Sequence, residues 1–237
     1  MTAGRFLVFE GIDGAGKSTQ IEALVAWLTA QGVSVLATRE PGGTPVGEAI
    51  RAVVLNQTMH PETELLLLCA ARREHLLTRI VPALAAGQWV ISDRFADASY
   101  AYQVAGRGVP ATRFAVLDEW TRGGVTPDLV ILFDIPAELA AARRIQRGKE
   151  QAPDRFENES LLFFDRVRQA YLERAAADRG RYLVLDATQP PEVLRELLLG
   201  EVTRRWFPAW SLPKEPVQQC LGQAQGLVQH HPHGDAE

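Results

Sequence analysis

The chain has 237 residues, 46% hydrophobic and 23% charged, enough for one α/β domain with a full core and too few for two. A formal net charge of −4 with scattered basic residues points to neither a nucleic-acid footprint nor a membrane-surface patch. No run approaches the ~18 apolar residues of a membrane span, and two distant cysteines, Cys69 and Cys220, without a signal peptide fit a reducing cytoplasm.

In chain order, "RFLVFE" (5–10) is apolar and β-rich, as a buried strand should be. Gly11 to Ser18 then matches G-x-x-x-x-G-K-[ST], a loop whose backbone N–H groups turn inward around phosphate oxygens. Lys17 reaches the β- and γ-phosphates in such a loop, and Ser18 offers its hydroxyl to Mg²⁺. The helix that follows carries Ile21, Leu24, Val25 and Leu28 on one face and ends at Gly32. Strand, loop and helix stand in the order that this chemistry requires.

"VSVLATRE" (33–40) is a second strand, "PGGT" a turn, and 45–55 a helix. A long helix is predicted over 63–86, closed by Gly87, with Cys69 packed in its apolar run. "QWVISD" (88–93) reads as a third strand buried on both faces, followed by more helical pattern. "PDLVILFDI" (127–135) is a fourth strand, 137–147 and 161–177 are helices, "RYLVLDA" (181–187) is a fifth strand, and 191–205 is a closing helix. Alternating strands and helices predict a parallel sheet covered on both faces, with ligands at the carboxyl ends of its strands.

Two stretches break the alternation. "QRGKEQAPDRFENE" (146–159) is polar and separates two helices, as a loop or an active-site lid would. Beyond 205 the chain is rich in Pro and Gln without periodicity and reads as an appended tail, 206–237. His230, His231 and His233 lack Cys or acidic partners at ligand spacing, so no metal site is expected there.

"GIDGAGKST" (11–19), "TREPGGT" (38–44), "AAR" (70–72) and "DRFADASYAYQVAGRG" (93–108) together resemble the thymidylate kinase family in order and spacing, over about 5–205. The resemblance implies a P-loop NTPase fold with a five-stranded parallel sheet. It also implies a cytoplasmic homodimer that phosphorylates dTMP to dTDP with ATP and Mg²⁺. Residues Gly11, Ile12, Asp13, Gly14, Ala15, Gly16, Lys17, Ser18 and Thr19 would then hold ATP, and Asp93 would join Ser18 on Mg²⁺.

Arg39 and Arg94 resemble the arginines that grip the acceptor phosphate, a task suited to a planar fork of donors. Asp13, an acid inside a phosphate loop, matches the residue that reaches the acceptor's 3′-hydroxyl. Arg72 matches the arginine on the thymine carbonyl, Ser99 and Gln103 line the base pocket, and Tyr102 stands near the 2′ carbon. Leu68 occupies the place where many relatives stack a phenylalanine on the base. Gly14 stands where one branch has arginine, so the lid is expected to supply the charge, through Arg147 first and Arg143 or Arg155 second. The nearest rival is a P-loop kinase for another nucleoside monophosphate or small metabolite. A nucleotide switch is disfavoured, since no lysine stands in [NT]-K-x-D and "LSGGQ" is missing.

Overall fold

The computed structural model describes residues 4–147, 155–156 and 159–208. The Arg147 side chain, most of the polar loop, and residues 209–237 with Cys220 and the three tail histidines lie outside the described residues.

Five parallel strands, β1 (Phe6–Glu10), β2 (Val35–Arg39), β3 (Trp89–Asp93), β4 (Leu129–Asp134) and β5 (Tyr182–Asp186), line up in the order β2-β3-β1-β4-β5. The inner strands β1, β3 and β4 are buried almost throughout, whereas edge strand β2 is only half-buried or exposed and edge strand β5 mixes buried and exposed positions. Their sequences follow suit, because a strand covered on both faces needs apolar residues on both. β1 pairs with β3 on one side, Phe9 opposite Asp93, and with β4 on the other, Glu10 opposite Leu132. The chain leaves β1 toward the β2–β3 side and later crosses from β3 to β4 on the other side, and the crevice at the carboxyl end of β1 receives the phosphate loop.

Helices α1 (Lys17–Ala30), α2 (Pro45–Asn56), α3 (Pro61–His75), α4 (Val81–Ala85), α5 (Ala96–Ser99), α6 (Ala111–Arg122), α7 (Ala137–Arg147), α8 (Leu161–Ala177) and α9 (Pro191–Trp206) connect the strands. On α1 only Leu24 and Leu28 of the predicted apolar face are buried outright. Cys69 packs with Leu65, Val109 and Phe114.

The helix predicted over 63–86 is not uniform. Leu76–Ile80, between α3 and α4, is a π-helical segment in which the Val81 N–H bonds the Leu76 carbonyl. Pro82 explains it: proline has no N–H, and its ring crowds the carbonyl four residues back, so the wider turn accommodates it. A second π segment, Tyr100–Gly106, continues α5 and buries Tyr102 and Gln103. The chain divides into a unit Met1–Glu201 and a unit Val202–Glu237. In the second unit the helix runs through Trp206, one residue into the predicted tail, and the Phe207 N–H bonds the Thr203 carbonyl.

Candidate active site

The loop after β1 leads into α1 through Gly16, whose φ of 91° is left-handed, and no side chain caps the helix. The first-turn N–H groups of α1 are thus left for an anion, whereas α2 is capped by Thr44 and α8 by Ser160. The Lys17 ammonium donates to the carbonyl of Gly11 at 3.0 Å and approaches that of Ile12 at 3.4 Å. Burial and the nearby Arg94 charge lower its pKa, opposed by Asp93, Asp13 and Glu10. At Gly14, φ is 92° and a Cβ would lie 2.5 Å from the Ala140 carbonyl oxygen of α7. An arginine side chain does not fit this backbone. Arg144, which sequence reasoning missed, lies beside it and donates to the Asp13 carbonyl at 2.9 Å.

Asp13 joins the loop to a pocket that Arg72 and Arg94 also line. Its carboxylate accepts from Arg94 at 2.8 Å and from the Tyr102 hydroxyl at 3.2 Å. Burial pushes its pKa up, yet the Arg94 and Lys17 charges override this and hold it well below the usual carboxylate range. Arg94 follows Asp93 with φ 72°, a left-handed conformation that costs a non-glycine residue about 1–3 kcal/mol. Its N–H bond to Phe9 O and its guanidinium bonds to Asp13, Tyr102 and Tyr171 hold it there.

Arg72, Leu68, Ser99, Tyr102 and Gln103 line the same pocket, with Pro41, Arg51, Val54, Leu55 and Phe156. Arg72 is buried; its Nε donates to Glu40 and its Nη2 to Ser99 Oγ and the Phe95 carbonyl. Nη1 is buried without a hydrogen-bond partner among the described residues. A buried charged donor left unpaired is costly, and this one belongs to a side chain that lines the pocket. Gln103 donates to Glu64, a fully buried acid that also pairs with Arg107 and Arg155.

Arg39 lies elsewhere. It is half-exposed, paired with Glu48 at 2.9 Å, and lines a neighbouring cleft with Ser18 and Asp93. Within that cleft Asp93 Oδ1 has no hydrogen-bond partner among the described residues, with the Lys17 ammonium 4.0 Å away. A carboxylate oxygen without a donor and a serine hydroxyl in one cleft are a donor set that suits a hard cation such as Mg²⁺, directly or through water. Among the candidate lid arginines, Arg143 donates to the Ala187 carbonyl at 2.9 Å and Arg155 is bound to Glu64. The Arg147 side chain is outside the described residues.

Sequence reasoning also missed Glu10, Glu40, Glu64, His75, Arg51 and Phe156. Glu10 had a signal: it is an acid within an otherwise apolar strand. It accepts from the Phe95 N–H and the Tyr171 hydroxyl, and burial, with Asp97 adding to it, pushes its pKa up to about 8. Glu40, Glu64 and His75 have partners more than thirty positions away, which no local pattern announces.

A model of the thymidylate kinase family matches residues 9–198. The chain is 50% identical to the thymidylate kinase of Methylobacillus flagellatus over 196 residues, 83% of this chain and 95% of that protein. It is 53% identical to that of Cupriavidus metallidurans over 195 residues, 82% and 96% of the two chains. The crystal structure of thymidylate kinase from Ehrlichia chaffeensis superposes with a TM-score of 0.69 at 30% identity, covering 84% of this chain and 99% of that one. With loop, pocket and fold in agreement with these matches, the chain belongs to the thymidylate kinase family of P-loop phosphotransferases.

Proposed function

We propose that this kinase moves the γ-phosphoryl group of ATP onto the phosphate of dTMP, with residues 11–19 holding the donor and the Arg72–Arg94 pocket holding the acceptor. The observation that carries this assignment is Asp13, a residue of the donor loop whose carboxylate is bound by Arg94 and Tyr102 of the pocket. The two sites share that wall, so the two phosphates meet beside it. The acceptor phosphate is already anionic at neutral pH, and no side-chain base is needed; catalysis consists of alignment and charge neutralisation.

Lys17 exchanges its carbonyl partners for the β- and γ-phosphates. Arg94 takes the acceptor phosphate, and the pocket position of Arg51 suits the same anion; Arg39, in the neighbouring cleft, would join them only by leaving Glu48. Asp13 accepts from the 3′-hydroxyl, Tyr102 crowds the 2′ carbon, and Arg72 Nη1 donates to the thymine carbonyl. Leu68, Ser99 and Gln103 enclose the base. Ser18 and Asp93 would hold Mg²⁺, which supplies charge neutralisation at the β- and γ-phosphates. The lid, 146–159, contributes Arg147, with Arg155 of the same segment and Arg143 of α7 as its alternatives.

The kinase domain is assigned to 1–205 and a tail to 206–237, in the cytoplasm, where ATP and nucleotide pools lie. A homodimer is supported by exposed apolar side chains on and next to α3 and α6: Leu66, Leu77, Val116 and Trp120, each more than half exposed. The test is ADP release with ATP and a panel of dTMP, dUMP, UMP and dCMP. The highest kcat/KM is expected for dTMP; preference for UMP or dCMP refutes the assignment.

A further inference from the structure

A line of buried hydrogen bonds runs from the base pocket to the turn behind it. Arg72 donates through Nε to Glu40 Oε2 at 2.8 Å and through Nη2 to Ser99 and Phe95, which leaves Nη1. The other Glu40 oxygen lies 3.2 Å from Nδ1 of His75, a side chain with no exposed surface. His75 Nε2 lies 2.7 Å from the Thr38 hydroxyl. A carboxylate only accepts, so Nδ1 carries a proton toward Glu40, while Nε2 is hydrogen-bonded with the Thr38 hydroxyl.

The "PGGT" turn closes on this pair. A Cβ at Gly43 would lie 2.5 Å from Thr38 Oγ1 and 2.6 Å from His75 Nε2, with the backbone at φ 75°. His75 and Thr38 lie outside the lining of the base pocket, yet through Glu40 they fix the plane of the guanidinium. A guanidinium held at Nε and Nη2 cannot turn, and so presents one fixed donor. A fixed donor bonds the carbonyl of thymine or uracil and opposes the amino group of cytosine, donor against donor.

Resting on the reading of Arg72 as the donor to the base carbonyl, we infer that Thr38, His75 and Glu40 form a positioning relay that sets discrimination between a carbonyl and an amino group on the base. Thr38 and His75 are positioning residues: they act on the base through Glu40 and Arg72, without touching it.

The test compares kcat/KM for dTMP, dUMP and dCMP, with KM for ATP, in wild type, His75→Leu, His75→Asn and Thr38→Val. His75→Leu is expected to lower the dTMP-to-dCMP ratio about tenfold through KM for dTMP, leaving kcat and the ATP KM within about twofold. His75→Asn keeps an N–H toward Glu40 and recovers most of that ratio. Thr38→Val, nearly isosteric, shifts the ratio in the same direction by about threefold and remains readable should His75→Leu not fold. An unchanged ratio in Thr38→Val, a loss of kcat equal for every acceptor, or asparagine failing as completely as leucine overturns the relay. Absence of any dTMP preference in wild type is a separate result, which removes the thymidylate reading and the relay with it.

Discussion

The donor loop and the acceptor pocket are built in opposite ways. The loop is one unbroken stretch from Gly11 to Thr19, shaped by its own glycines and by the start of α1. The pocket draws on the β2 end, α2, α3, the β3 end and the π segment after α5. A contiguous site is specified by local sequence, whereas an assembled one is specified by the sheet that brings its parts together. Asp13 and Arg94 lie 81 positions apart and join the two.

The largest expected effect falls on the loop. Lys17→Ala should lower kcat by on the order of a thousandfold with the melting temperature little changed, because its charge acts on phosphates during transfer. Near-normal turnover in single-turnover assays would remove the loop from the mechanism.

Glu10, beneath both sites, tests the structure that joins them. Its folded pKa of about 8 lies above the ordinary 4.5, so between these values the folded chain binds a proton that the unfolded chain releases. Its contribution is full below about pH 4.5 and is lost as pH rises through about 8, on the order of a few kcal/mol. Urea unfolding of wild type and Glu10→Gln between about pH 5 and 8.5 should show a stability difference that declines with pH. A flat difference contradicts the buried protonated acid.

Smaller effects belong to single pocket walls. Tyr102→Ala should relax discrimination between dTMP and UMP by about tenfold while costing less on dTMP itself; equal losses on both would place Tyr102 away from the sugar. Leu68→Phe should change dTMP efficiency by about fivefold, upward if the ring stacks on the base and downward if Phe156 and Val54 already fill the space. No change at all would put Leu68 outside the base contact.

The same contrast explains what the sequence made legible. Helices α7 and α8 match their predicted spans, 137–147 and 161–177, because helical periodicity stops at turn residues on either side. The buried strands β3 and β4 announced themselves by continuous apolar runs. The π segment at Leu76–Ile80 was hidden, since one widened turn barely disturbs hydrophobic spacing, although Pro82 was its visible cause. Strand order was hidden as well, because alternation fixes a parallel sheet without ordering it. In the pocket, Arg72 was legible from the family's motif, while its partner Glu40 and the Glu40–His75 contact across 35 positions needed the fold.

The most direct test of the assembled pocket is Arg72→Ala assayed with dTMP, dUMP, UMP and dCMP beside wild type. Loss of a hydrogen bond from a charged donor, about 1.5–3 kcal/mol, predicts a tenfold to more than hundredfold fall in kcat/KM for dTMP and dUMP. The dCMP value should fall far less and the ATP KM should stay within about twofold, since the donor loop is built separately. An equal loss on all four acceptors would contradict the account.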